Sequence, residues 1–174
     1  MQDAREPGSL AARVRAGEQV LATWSSLDSP AVAELLAAAG FDAVILDLEH
    51  GEFGLPGLTG HLRAVEVAGA AALVRARVPE ELGPALDAGA DGVLLPDVSS
   101  AENVARVVER CTYAPGGSRG AAPMARDAGY GLRDFPTHHA AAAPLIWVQI
   151  EGPGGVDAVE EIVAVEGLDL VFVG

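Results

Sequence analysis

Apolar residues along this chain come in short dense blocks, and each block is followed by a stretch with helical spacing. Six blocks have the length and β-branched content of strands: Val20–Trp24, Ala43–Asp47, Ala71–Arg75, Gly92–Pro96, Leu145–Ile150 and Leu168–Val173. Several are nearly unbroken, such as Val44-Ile45-Leu46, Val93-Leu94-Leu95 and Val171-Phe172-Val173. Runs without polar alternation belong to strands covered on both faces, the usual state in a parallel sheet.

Helical patterns fill the gaps. Ser29-Pro30 reads as an N-cap with Pro at the first helical position, and Gly40 stands where a C-terminal glycine belongs. Between them Val32, Leu35 and Leu36 form the expected apolar stripe. Ser99 and Glu102 fit a capping box, followed by Val104, Val107, Val108 and Cys111 at i, i+3, i+4 and i+7. Val156, Val159, Ile162 and Val163 repeat the pattern before Gly167, and Leu82 and Leu86 do so more weakly before Gly89. The alternation requires parallel strands with right-handed crossovers. Thr112–Thr137 breaks it, being rich in Gly, Pro and Arg, and is predicted to be a long functional loop. No linker interrupts the chain, so residues 1–174 are expected to form one domain.

This pattern leaves two architectures, an open doubly wound sheet and a (β/α)8 barrel. The Gly-rich dinucleotide fingerprint is missing after the first strand, where Ser25-Ser26-Leu27 stands instead. A barrel takes ~250 residues, so a barrel reading gives this chain six β/α units and leaves the last two missing.

Composition narrows the function. The 174 residues are 50% hydrophobic and carry a net charge of −14 from 25 acidic and 11 basic side chains. Such a surface repels nucleic-acid phosphates and anionic lipid, so neither is an expected partner. Cys111 is the single cysteine, which excludes an intramolecular disulfide and a cysteine zinc cluster. Met1–Gly8 is polar, without a signal core, and runs such as Ala68–Val74 are too short to cross a bilayer, so the cytoplasm is the expected location. All 11 basic residues are arginine. Without lysine there is no Schiff base, and a metal ion is the obvious substitute for stabilising an enolate.

Ligands bind at the carboxyl ends of the strands in both architectures. There the sequence places Asp47, Glu49 and His50 after the second strand and Arg75 at the end of the third. Asp97 follows the fourth, and Gln149 and Glu151 stand at the end of the fifth. Each alone has an ordinary reading as a helix cap or solvated group; their recurrence at successive strand ends points to a site. Hard cations such as Mg²⁺ or Mn²⁺ prefer carboxylate and water oxygens. Glu151 suits direct ligation, while Asp47 and Glu49 suit metal-bound waters. Arg75 offers a planar fork to a carboxylate or enolate oxygen, and His50 can move a proton near neutral pH.

These motifs resemble the HpcH/HpaI aldolase family. The likeness begins at Gly40-Phe41-Asp42 and Leu46-Asp47-Leu48-Glu49-His50-Gly51, then runs through Val74-Arg75, Leu86-Asp87-Ala88-Gly89-Ala90 and Leu95-Pro96-Asp97-Val98. It continues in Tyr113-Ala114-Pro115, Arg119-Gly120 and Val148-Gln149-Ile150-Glu151, and ends in Val165 to Asp169 and Val171 to Gly174. The resemblance implies a (β/α)8 barrel and a class II pyruvate aldolase using Mg²⁺, Mn²⁺ or Co²⁺. It implies Glu151 as one of two protein metal ligands and Arg75 as the group that steadies the keto oxygen. It also implies His50 as acid–base residue with Asp87 as its partner, and a substrate pocket including Arg75, Gln149 and Gly174. Asp87 ends a helix that runs away from the catalytic face, so the dyad is expected only across subunits of a homo-oligomer; otherwise Asp87 is a polar helix-end residue.

Two features depart from the family pattern. In the family the glycine matching Gly174 opens a turn that supplies the second metal carboxylate, and this chain stops there. The 174-residue polypeptide is therefore expected to bind metal weakly and turn over little. Gly152-Pro153-Gly154-Gly155 stands where a helix should begin; it could cradle an anion, but a plain loop is the expected reading. The leading reading is aldol cleavage of a hydroxy-oxo acid to pyruvate, or a related 2-oxo acid, and an aldehyde. Alternatives are an acyl-CoA lyase like the citrate-lyase β chain, against which His50 counts, and a non-catalytic truncated remnant.

Overall fold

The computed structural model describes residues 9–174; the reading of Met1–Gly8 lies outside them. Six strands form one sheet: β1 (Ala22–Ser25), β2 (Ala43–Asp47), β3 (Ala71–Arg75), β4 (Gly92–Leu95), β5 (Leu145–Ile150) and β6 (Leu170–Val173). All neighbours are parallel, in sequence order from β1 to β6. Helices are α1 (Leu10–Arg15), α2 (Pro30–Ala38), α3 (Leu55–Val67), α4 (Leu82–Asp87), α5 (Ala101–Cys111), α6 (Phe135–Ala141), α7 (Pro153–Asp157) and α8 (Val159–Val163).

The sheet curls. Six flat strands would set β1 and β6 about 24 Å apart, five gaps of ~4.8 Å. Yet the rings of Trp24 on β1 and Phe172 on β6 meet edge to face at 5.7 Å. This removes the open-sheet alternative and makes the chain a curled half-barrel. Strand alternation then sorts the side chains. Val44, Leu46, Val74, Val93, Ile146 and Val148 point outward into one core with the helices. Ala43, Ile45, Leu73, Leu94, Leu145 and Trp147 point inward, where Leu10 and Ala11 of α1 cover them. Two ion pairs brace α1 across the strand starts, Arg13 to Asp42 at 2.6 Å and Arg15 to Asp169 at 2.7 Å.

Some expectations change. The cap of α5 is Ser100, whose hydroxyl accepts from the Asn103 amide; the expected cap at Ser99 moves by one residue and Glu102 falls at the second helical position, outside a capping box. On α2 the buried positions are Ala33 and Ala37, while Leu35 is 69% exposed. The glycine-rich stretch after β5 is not a loop: Gly152 caps α7, and Gly155 is buried where a Cβ would strike the Val98 carbonyl. The helix beyond it breaks at Ala158, leaving only Ile162 of its predicted stripe buried.

Candidate active site

β2 and β3 end side by side, with Asp47 paired to Arg75 in the sheet register. Both side chains fall on the inner face, and both are buried. Asp47 Oδ1 accepts from Arg75 Nε at 2.9 Å and Oδ2 accepts from Nη2 at 2.7 Å, a two-pronged fork. Asp47 Oδ1 also accepts from the Glu49 and His50 amides, and Ser26 Oγ donates to Oδ2. This closes a tight turn over the strand end, and Gly51 is needed there because a Cβ would overlap the Asp47 carbonyl. Burial pushes the Asp47 carboxyl upward, but the Arg75 fork and the two amides outweigh it and hold it below its usual range. Burial likewise opposes the charge on Arg75, and the Asp47 pairing more than offsets it.

The other end of the arginine faces two further acceptors. Arg75 Nη1 lies 3.3 Å from Glu49 Oε2 and 3.4 Å from Gln149 Oε1. Gln149 Nε2 donates to Glu151 Oε1, and the Gly174 backbone lies against both side chains, leaving a Cβ there no room. His50 is largely exposed, its Nε2 3.8 Å from Glu49 Oε2. Arg75, Asp47, Glu49, Gln149, Glu151 and Gly174 thus gather at the inner strand ends, with His50 at the rim. Asp97, exposed after β4, adopts a positive φ of 52°.

The Asp47 oxygens accept from Arg75, the turn amides and Ser26, so the carboxylate orients the arginine. Glu49 and Glu151 are the carboxylates that could face a cation; Glu49 Oε2 is buried and makes no hydrogen bond, its neighbour being the Arg75 guanidinium at 3.3 Å. Two hard oxygen donors suit Mg²⁺ or Mn²⁺, which commonly take one or two carboxylates and keep several waters. Among the described residues, no three His, Cys, Asp or Glu side chains converge as a metal group.

Asp87 lies elsewhere, ending α4 on the side where the strands begin. Arg119 Nη2 donates to Asp87 Oδ1 at 2.8 Å and to Asp127 Oδ2 at 2.6 Å, and its guanidinium lies 4.4 Å over the Tyr113 ring. The predicted functional loop after α5 supplies this cluster and folds under the strand starts, away from Arg75. A cavity of about 280 Å³ lies beside it, lined by Arg119, Asp127, Thr137 and His138 among others. Sequence reasoning missed Trp24, whose indole carries the Arg75 guanidinium 4.3 Å above it. The signal was available: Trp24 shares the inward parity of Ala22 on β1.

These inward carboxylates and the arginine stand at the carboxyl ends of the parallel strands, where β/α-barrel enzymes carry their active sites. Residues 21–174 match the family described as HpcH/HpaI aldolase/citrate lyase, and the chain belongs to it. It is 37% identical over 173 residues to a hydroxypyruvate/pyruvate aldolase of Paraburkholderia phytofirmans, covering 95% of this chain and 66% of that protein. It is 36% identical to a 4-hydroxy-2-oxovalerate aldolase of Novosphingobium aromaticivorans, covering 95% and 64%. The crystal structure of an HpcH/HpaI aldolase/citrate lyase family protein from Burkholderia cenocepacia superposes with a TM-score of 0.88 at 35% identity, covering 97% of this chain and 69% of that one. The chain thus spans about two thirds of the length of the relatives it matches. No helix among the described residues is long and apolar enough to cross a membrane.

Proposed function

We propose that this single domain, within a homo-oligomer, performs divalent-metal-dependent, reversible aldol cleavage of a hydroxy-oxo acid, giving pyruvate or a related 2-oxo acid and an aldehyde. The observation that carries this is the Arg75 guanidinium, held by Asp47 with Nη1 turned toward Glu49 and Gln149. Glu151 would hold Mg²⁺, Mn²⁺ or Co²⁺, with Glu49 on its waters. When bound, the ion supplies the Lewis acidity that makes an enolate accessible at neutral pH. Arg75 donates to the oxo oxygen as charge moves onto it. Gln149 and the Gly174 backbone line the acid. His50, exposed at the rim, takes the proton of the aldol hydroxyl as the carbon–carbon bond breaks. A proton returned to the enolate carbon completes pyruvate. Asp87 pairs with His50 of a second copy in this reading. Mixing subunits of His50→Ala and Asp87→Ala should then restore part of the activity that each variant lacks.

The reading is tested by cleavage of a 4-hydroxy-2-oxo acid, followed by pyruvate release. Turnover should stop with chelator and return with Mg²⁺, Mn²⁺ or Co²⁺. Borohydride added with pyruvate should leave no adduct in the mass spectrum, because the sequence contains no lysine. Chelator-resistant turnover would contradict it.

A further inference from the structure

The Asp47 fork holds the Nε–Nη2 edge of Arg75 at 2.9 and 2.7 Å, while Nη1 has only longer contacts, 3.3 Å to Glu49 Oε2 and 3.4 Å to Gln149 Oε1. Two parallel hydrogen bonds hold the guanidinium in line with the carboxylate but act as a hinge, about which the group can rock out of plane. Nη1 lies on the far side of that hinge, so rocking swings the donor that faces Glu49 and Gln149. The indole of Trp24 lies under the guanidinium, 4.3 Å from its central carbon. Phe172 in turn braces Trp24 edge to face, at 5.7 Å and 84°.

We infer that Trp24 is a positioning residue for Arg75, the flat surface that stops the guanidinium rocking and so aims Nη1 at the incoming oxo acid. The mechanical part stands on this geometry alone; the oxo acid rests on the function proposed above. A stack of this kind contributes through the ring's negative face and through shape, both of which an aliphatic side chain lacks. A Trp that merely filled the inner layer would be replaceable by Leu without consequence for Arg75.

Arginine Nε–Hε signals of the 15N-labelled chain separate these cases. There are 11 arginines, and the Arg75 signal is the one missing in Arg75→Lys. Its proton should be displaced upfield by the indole ring current, and its heteronuclear NOE should match the rigid backbone. Trp24→Leu should lower that NOE to the level of exposed arginines, while Trp24→Phe keeps most of it. An undisplaced signal in the unaltered chain, or a Trp24→Leu NOE equal to the original, would overturn the inference. The first of these needs no variant to fold.

A second arm uses Mg²⁺ with oxalate, a planar stand-in for the enolate. Trp24→Leu should weaken oxalate binding about tenfold, and Trp24→Phe much less. Unchanged affinity in Trp24→Leu would overturn the aiming role. Oxalate that moves no Arg75 signal in the unaltered chain would instead sink the proposed function, and the NOE would still judge the mechanical role.

Discussion

Arg75 is the residue on which the candidate site turns, because its fork meets Asp47, its flat face meets Trp24 and its Nη1 end meets Glu49 and Gln149. Arg75→Lys keeps the charge but cannot span both Asp47 oxygens or lie flat on Trp24. It should lower kcat/KM by roughly 10²–10³-fold, while Glu151→Ala abolishes metal-dependent turnover. His50→Ala should slow turnover by roughly 10²–10⁴-fold and leave metal affinity unchanged. Asp47 gives a pH test. Its folded carboxyl sits below the usual value of 3.8 despite burial, through the Arg75 fork and the turn amides. A lowered acid contributes stability that is complete above the unfolded value and lost as pH falls through the folded one. The stability gap between the native chain and Asp47→Asn should therefore narrow below about pH 4 in denaturant titrations; a constant gap down to pH 2 would refute the pairing. The residue types at the strand ends were legible in the sequence, because parity and strand position locate them. The commitment of Asp47 to Arg75 was not, since it depends on the β2–β3 register. Nor was the Trp24 stack, which depends on how far the sheet curls.

At the scale of elements, a Gly-x-Asp unit recurs where β2, β4 and β6 begin: Gly40-Phe41-Asp42, Gly89-Ala90-Asp91 and Gly167-Leu168-Asp169. The glycines end helices at φ of 100°, 98° and 89°, a conformation that suits glycine. Each aspartate carboxylate accepts from an amide near the start of the preceding strand, Leu21, Ala72 or Ile146. Its own amide donates back to the carbonyl of that same residue. The three copies are not equivalent. Asp169 also holds Arg15 through both oxygens, whereas burial raises the Asp91 carboxyl. Asp169→Asn should cost about 1–3 kcal/mol of stability. Asp91→Asn keeps the acceptor and removes an unfavourable buried charge, so it should be neutral or stabilising at pH 7. Sign follows from the raised value: Asp91 stabilises the fold less as pH rises through it, so the advantage of Asn should shrink in acid. Loss at both positions alike, in thermal melts, would mean that charge plays no part. β2, β3 and β5 begin and end where the apolar pattern puts them, because strands covered on both faces leave little freedom. The helices were harder to read. Leu35 and Val163 fit an apolar stripe yet are 69% and 58% exposed, since the small Ala33 and Ala37 sit nearest the sheet and α7–α8 breaks at Ala158.

For the whole molecule, the curl matters most. β1 and β6 each have one sheet neighbour among the described residues, and Val173 is 81% exposed. Open strand edges recruit other chains. The 174-residue polypeptide on its own should therefore self-associate with rising concentration in sedimentation velocity, and two further β/α units from a relative should suppress this. A monomer at all concentrations would show that the edges are already protected. The barrel class was legible from the alternation of elements and the missing dinucleotide fingerprint; the path of residues 112–134 was not, because a Gly- and Pro-rich stretch carries no period to say which end of the strands it covers. The most direct test of the account is whether metal and oxo acid share one site built on Glu151 and Arg75. Mn²⁺ binding should be followed by electron paramagnetic resonance, with and without pyruvate. Weak Mn²⁺ binding that tightens with pyruvate, disappears in Glu151→Ala and loses its pyruvate dependence in Arg75→Lys is expected. Mn²⁺ affinity indifferent to pyruvate and unchanged in Glu151→Ala would contradict it.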